Sequence, residues 1–180
     1  MSIWDHFTRL GGAPGPPADA SPSDADSIRR IARELDQLDP RQARHLASFA
    51  FVLSRVAAAD LSVSDEETRA MERIIMEQAG LPEEQAVLVV EIARHQNMLF
   101  GGTENFLVTR ELKASASPEE KEGLLRCLFA VGAADDAISG AEEGIIAQIA
   151  SELGVDRRDM VRIRSEFRGH RAVFRRPGAP

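Results

Sequence analysis

The chain has 180 residues, 43% of them hydrophobic and 28% charged, with a net charge of −7, which suits one globular domain with a real core plus tails. No apolar run approaches the roughly 18 residues of a membrane span, no charged-then-apolar secretion signal opens the chain, and the lone Cys127 has no disulfide partner, so the expected compartment is the cytoplasm. From residue 157 onward eight arginines face only Asp159 and Glu166, a balance of +6 that leaves −13 on the rest, and so acidic a body excludes nucleic acid as the main partner because phosphate neutralisation supplies most of that affinity.

In chain order, Ile3, Trp4, Phe7 and Leu10 share one helical face in a short first segment. Gly11 to Pro17 is a Pro/Gly linker with no core of its own. Residues 1–22 are therefore read as an amphipathic segment plus linker, residues 23–168 as the folded domain and residues 169–180 as a basic flexible tail. The first segment has three expected uses: docking back on the domain, insertion at a membrane surface, or capture by a partner's groove. Ser23 is the expected cap of a helix carrying Ile28, Ile31, Leu35 and Leu38, with Asp24 and Asp26 in its first turn. Asp39-Pro40 restarts the chain as cap and first helical residue, with Gln42 in the capping-box position. The helix that follows, with Leu46, Phe49, Leu53 and Val56, is expected to end at Asp60.

Ser64 opens the next helix, which holds Met71, Ile74 and Ile75 and stops at the left-handed cap Gly80. Pro82 starts another through Val87, Val90 and Ile92 towards Met98, broken by Gly101-Gly102. Thr103 caps a shorter helix with Phe106, Leu107 and Leu112. Ser117-Pro118-Glu119-Glu120 combines cap, Pro and capping-box Glu before Leu124, Leu125, Leu128 and Val131. Ser139 starts a helix with Ile145, Ile146 and Ile149 that ends at Gly154, and Asp156 caps a last one with Met160, Ile163 and Phe167. No segment alternates with period two and no hairpin turn appears. The expected fold is all-α, a compact bundle of seven to eight helices.

One pattern occurs twice. Ala58-Ala59-Asp60, a short connector and Ser64-x-x-Glu67 are echoed by Ala133-Ala134-Asp135, a connector and Ser139-x-x-Glu142. Phe49, Leu53 and Val56 align with Leu124, Leu128 and Val131 at the same offset, so an internal pseudo-twofold helix–connector–helix repeat is expected. Each Ser-x-x-Glu fits a capping box, in which the hydroxyl and the carboxylate satisfy two orphan N–H groups reciprocally. Each Asp falls on the continuation of a buried stripe, at the unfavourable end of the helix dipole, and needs donors. Three readings satisfy them. In one, each Asp accepts backbone N–H bonds from its own connector. In a second, Asp60, Glu67, Asp135 and Glu142 converge on a hard divalent cation, Ca²⁺ or Mg²⁺. In the third, an Arg or Lys of a partner pairs with the carboxylates. Neither connector is an EF-hand, since the sixth-position Gly and the twelfth-position Glu are missing.

The doubled Ala-Ala-Asp…Val/Ile-Ser-x-x-Glu pattern over about residues 40–168 resembles the tellurite-resistance TerB family, whose superfamily includes the N-terminal cytoplasmic domain of DjlA-type co-chaperones. That resemblance implies a helical domain of two related halves, a role in stress or tellurite-resistance systems at the inner face of the membrane, and metal binding through the acidic motif positions. These correspond here to Asp60 with Glu67 and Asp135 with Glu142. The Gly that the family usually has after the Asp is replaced by Leu61 and Asp136. No J domain is recognised, so co-chaperone activity is not carried over.

Catalytic constellations are absent from the sequence. His6, His45, His95 and His170 are scattered, and His-Glu-x-x-His, Glu-x-x-His pairs, a serine elbow and a phosphate loop are all missing. Glu91 and His95 share a helix face as an ordinary surface pair, and Cys127 lacks a cation or helix N-terminus to activate it. The expected function is a non-enzymatic cytoplasmic interaction module with an unidentified protein partner and no required cofactor. Ile3, Trp4, Phe7, Arg171, Arg175 and Arg176 would touch the partner or an anionic membrane surface, peripheral to the inner membrane. The alternative is a Ca²⁺- or Mg²⁺-binding or sensing protein using the repeated carboxylates.

Overall fold

The computed structural model describes residues 22–56, 65–95, 105–133 and 138–167, without the side chains of 22, 24, 105 and 106. Asp60, Asp135, Ser64, Thr103, Met98, the Gly101-Gly102 break, the 1–21 segment and the tail beyond 167 lie outside these residues. The described chain forms α1 (Pro22–Asp36), α2 (Pro40–Ser54), α3 (Asp65–Ala79), α4 (Glu83–Arg94), α5 (Asn105–Ser115), α6 (Pro118–Gly132), α7 (Gly140–Leu153) and α8 (Arg157–Glu166), with no strand among them. None of these helices is long and apolar enough to cross a membrane.

The helix starts follow the capping chemistry of the sequence. The Asp39 carboxylate accepts from the N–H groups of Arg41 (3.0 Å) and Gln42 (3.1 Å) at the head of α2. Ser117 and Glu120 close a reciprocal capping box on α6, with the Ser117 N–H donating to Glu120 Oε2 at 2.6 Å and the Glu120 N–H to Ser117 Oγ at 3.2 Å. Ser139 and Glu142 repeat it on α7 at 2.7 and 3.2 Å, and Asp156 caps α8 through the Arg158 N–H at 2.7 Å. Gly80 and Gly154 both take the left-handed conformation, φ 66° and 71°, that ends a helix without a Cβ clash.

Pro82 caps α4, with Glu83 and Glu84 in its first turn, as the sequence suggests. Two boundaries differ from the sequence reading. α1 begins at Pro22, so Ser23 stands inside its first turn. α2 closes at Ser54, well before Asp60. There the Ser54 hydroxyl donates to Phe51 O at 2.7 Å, and the Arg55 and Val56 N–H groups donate three residues back to Val52 and Leu53, at 3.2 and 3.1 Å. Such i→i+3 bonds tighten and terminate an α-helix.

The core is one continuous cluster running through every helix. α2 lies at its centre: every residue from Leu46 to Leu53 is buried, and the helix packs on α1, α4, α5 and α6. α3 packs on α4 and α6, α7 on α5 and α6, and α8 on α6. The α3–α6 crossing is closest at Gly123, where a Cβ would meet Ala79 Cα at 3.2 Å and Gln78 O at 3.3 Å. Both neighbours are backbone and cannot swing away. Gly154 is closed differently, with the Lys113 side chain 2.7 Å from the position of a Cβ. Gly144, in the exposed middle of α7, meets nothing within 4 Å.

These three glycines predict an order of stabilities in urea unfolding. Gly144→Ala stabilises by about 0.5–1 kcal/mol through helix propensity. Gly123→Ala costs roughly 1–3 kcal/mol by overpacking the crossing, and Gly154→Ala roughly 1–2 kcal/mol for its left-handed backbone. A Gly123→Ala protein as stable as the wild type would mean that α3 and α6 are not in this contact.

Candidate functional site

Among the described residues, two adjoining concavities lie at the N-terminal end of α2. Because Asp39 and Pro40 fix where the helix starts, Gln42, His45, Leu46 and Phe49 fall on one face at i, i+3, i+4 and i+7. Leu46 and Phe49 are fully buried, and the half-buried His45 ring is tilted against Phe49, centroids 6.2 Å apart. Opposite this face, the left-handed turn at Gly80 ends α3 and presents Ala79, Leu81 and Gln85. The α5–α6 junction adds Ser115 and Glu120, and Arg41 donates to the Ser115 carbonyl at 3.3 Å. Together they enclose a cavity of about 430 Å³. A second cavity of about 790 Å³ adjoins it, sharing Asp39, Arg41 and Ser115, and is lined further by Arg44, Leu107, Arg110 and Glu111. Leu107, expected in a helix with Leu112, is exposed, whereas Leu112 is buried.

His45 lines the first cavity together with the charged groups Asp39, Arg41 and Glu120. Burial pushes its pKa below the ordinary value near 6.5; the Glu120 carboxylate works against that shift and the Arg41 guanidinium with it. The ring is therefore neutral at pH 7, able to donate at one nitrogen and accept at the other.

A partly buried polar cluster lies at the other end of α2. Arg55 grips Glu152 of α7 with both terminal nitrogens, at 2.7 and 3.3 Å. Thr109 of α5, fully buried, donates to the same carboxylate at 2.9 Å, and Gln148 does so at 2.8 Å. These hydrogen bonds, Arg55's first, hold the Glu152 pKa below the usual carboxylate value. With every oxygen engaged by side chains of three helices, the cluster is a structural clamp.

Of the four proposed cation ligands, Asp60 and Asp135 lie outside the described residues. Glu67 is exposed in the first turn of α3. Glu142 has one oxygen in its capping box, while the other faces Gly132. Among the described residues no group of three or more His, Cys, Asp or Glu is placed to hold a metal ion. Ile3, Trp4, Phe7, Arg171, Arg175 and Arg176 also lie outside the described residues. Cys127 is buried, its thiol facing the Ile74 carbonyl at 3.9 Å, and burial pushes its pKa up to about 12. It remains a protonated core residue. The Glu91–His95 pair is local: the His95 ring meets the Glu91 backbone carbonyl at 2.9 Å, while the Glu91 carboxylate pairs with Arg30 of α1.

The cavity residues Arg41, His45, Leu81 and Gln85 were not singled out as a site from sequence. The available signal was the polar start of an otherwise apolar stripe, Gln42 and His45 followed by Leu46 and Phe49.

Fold and surface together define an acidic, all-helical domain built around one enclosed helix, with concavities at that helix's head. The family model for tellurite resistance protein TerB matches residues 45–165, more than half of the chain, and the protein belongs to that family. The match runs from His45 into α8 and leaves α1, the segment before it and the first turn of α2 outside, including the cavity residues Asp39, Arg41, Gln42 and Arg44. No curated protein and no solved structure matches the chain.

Two measurements check these assignments. Glu152→Ala leaves Arg55 without its partner and should cost roughly 2–4 kcal/mol in urea unfolding, with Glu152→Gln between it and the wild type. For His45, the unfolded chain takes up a proton near pH 6.5 while the folded chain resists it. Its contribution is thus intact above pH 6.5 and is lost as pH falls towards the depressed folded value. His45→Gln should flatten the decline of the urea midpoint between about pH 7 and 5.5; an unchanged slope would show that His45 protonates freely in the fold.

Proposed function

We propose that the protein is a non-enzymatic interaction module of a tellurite-resistance-type stress system, acting in the cytoplasm near the inner membrane. The observation that supports this best is the larger concavity at the head of α2. Arg41 and Arg44 from α2 and Arg110 from α5 line it beside the exposed Leu107 and outnumber the carboxylates Asp39 and Glu111 there, although the body outside residues 157–180 carries −13. Arginines from two helices around an apolar side chain suit an acidic protein segment with an apolar anchor. In this reading the terminal residues Ile3, Trp4, Phe7, Arg171, Arg175 and Arg176 supply additional adhesion to the partner or an anionic membrane surface.

The test is cross-linking and affinity capture from the native cell with the intact protein, with Arg44→Glu/Arg110→Glu, and with the exposed control Arg157→Glu. The captured partner should fall several-fold with the double reversal only, in protein whose native helix content confirms folding. Equal capture by all three would remove this face from the function. Titration calorimetry with Ca²⁺ and Mg²⁺ should give no heat at millimolar ion; heat that Asp135→Asn abolishes would transfer the function to the divalent-cation alternative.

A further inference from the structure

We propose that the smaller cavity at the head of α2 is a docking site for the chain's own N-terminal segment, with Trp4 as the anchor. The inference does not depend on the partner reading; it rests on reach, on the chemistry of the cavity wall and on the sequence of the segment.

Reach comes first. α1 spans 15 residues, about 22 Å at 1.5 Å per residue, and it leads directly to Asp39 on the cavity wall. The end of the Trp4 segment must therefore cross about one α1 length to reach the cavity. The stretch between Leu10 and Pro22 is rich in Gly and Pro and extends to roughly 36–40 Å when straight. As a flexible coil its root-mean-square length is roughly 17–20 Å, close to that span. Matched linker and span give an effective concentration in the millimolar range, so even an intrinsically weak contact is populated within one chain.

The wall suits an amphipathic aromatic ring. Leu46 and Phe49 form the floor, and Leu81 and the His45 ring form apolar sides. Gln42 and Gln85 offer carbonyl oxygens for the indole N–H, and Arg41 a guanidinium for the ring face. A neutral His45 keeps the wall from becoming more cationic. The segment's own charges also have counterparts: Asp5 beside the anchor matches Arg41, and Arg9 matches the carboxylates Asp39 and Glu120. Ile3 and Phe7, one and three residues from Trp4 in sequence, would cover the rim. In the docked state the same apolar side chains are withheld from any membrane surface or partner groove.

Trp4 is the sole tryptophan, so the chain reports on its own docking. The experiment compares tryptophan emission and acrylamide quenching of the full chain with those of a synthetic peptide of residues 1–12. It then repeats them on Leu81→Arg and Gln85→Lys at the wall and Val161→Arg on the exposed face of α8, each checked for native helix content and melting temperature. Docking predicts blue-shifted emission and several-fold weaker quenching in the full chain, independent of protein concentration. Either wall variant should return both signals to the peptide values, and Val161→Arg should leave them unchanged. Gln85→Lys decides the matter if Leu81→Arg does not fold. Peptide-like signals in the wild type, a shielded Trp4 indifferent to folded wall variants, or shielding lost on dilution would each overturn the proposal, the last by placing the contact between chains.

Discussion

A helix buried on every side dictates this structure. From Leu46 to Leu53, α2 has no residue that reaches solvent, whereas an ordinary surface helix keeps about half its circumference wet. Enclosing it takes α1, α4, α5 and α6 together, which leaves α3, α7 and α8 to be held by second contacts, chiefly to α6. Small residues make this enclosure feasible, since Ala47, Ser48 and Ala50 are fully or almost fully buried beside Phe49 and Phe51. Polar function is thereby pushed to the ends of α2. At its head, Arg41, Gln42 and His45 line an open cavity. At its tail, Arg55 is clamped by Glu152. The two ends use similar residue types for opposite purposes, and burial of the partner groups explains the difference. Where one carboxylate collects donors from three helices, the arrangement is rigid. Where Arg41 and His45 face space, it can receive something else.

What the sequence made legible was local. Caps at Asp39, Ser117, Ser139 and Asp156 and the left-handed glycines 80 and 154 are read within four residues of chain, and each forms as the chemistry requires. The all-α class follows from the same signals. The enclosure of α2 was less accessible, because a 3.6-residue template looks for one wet face and assigns only Leu46, Phe49, Leu53 and Val56 inward. Phe51, on the opposite side, is just as buried, as is Val52 at the edge of the stripe. The site was less legible still. Arg55 and Glu152 are 97 positions apart, and the cavity draws on α2, the α3–α4 turn and the α5–α6 junction. Nothing in the spacing of His45 alone indicates which of those elements will face it. The expectation that α2 runs to Asp60 failed because the apolar stripe continues to Val56, whereas the helix tightens into i→i+3 bonds after Ser54.

The distribution of basic charge carries the last step. Counted along the sequence, residues from 157 onward look like a cationic strip with an affinity for anionic surfaces. In the fold, much of that charge in α8 is tied inward. Arg162 pairs with Glu122 of α6 at 2.7 Å, Arg126 of α6 bridges Glu122 and Glu166 at 3.1 Å each, and Arg164 reaches Glu143 of α7 at 2.6 Å. The Arg162 hydrogen bond is the main reason that the Glu122 carboxyl titrates below its usual range. Each of these pairs is worth at most about 1 kcal/mol at the surface, but together they orient α8 along α6, where Ile163 enters the core and Phe167 stacks on Phe129 at 5.6 Å. An arginine engaged with a carboxylate on the neighbouring helix contributes little net field to a membrane a Debye length away. Charge counted along the sequence therefore overstates what α8 presents to its surroundings, and at the head of α2 the guanidinium groups of Arg41, Arg44 and Arg110 share their concavity with the carboxylates of Asp39 and Glu111.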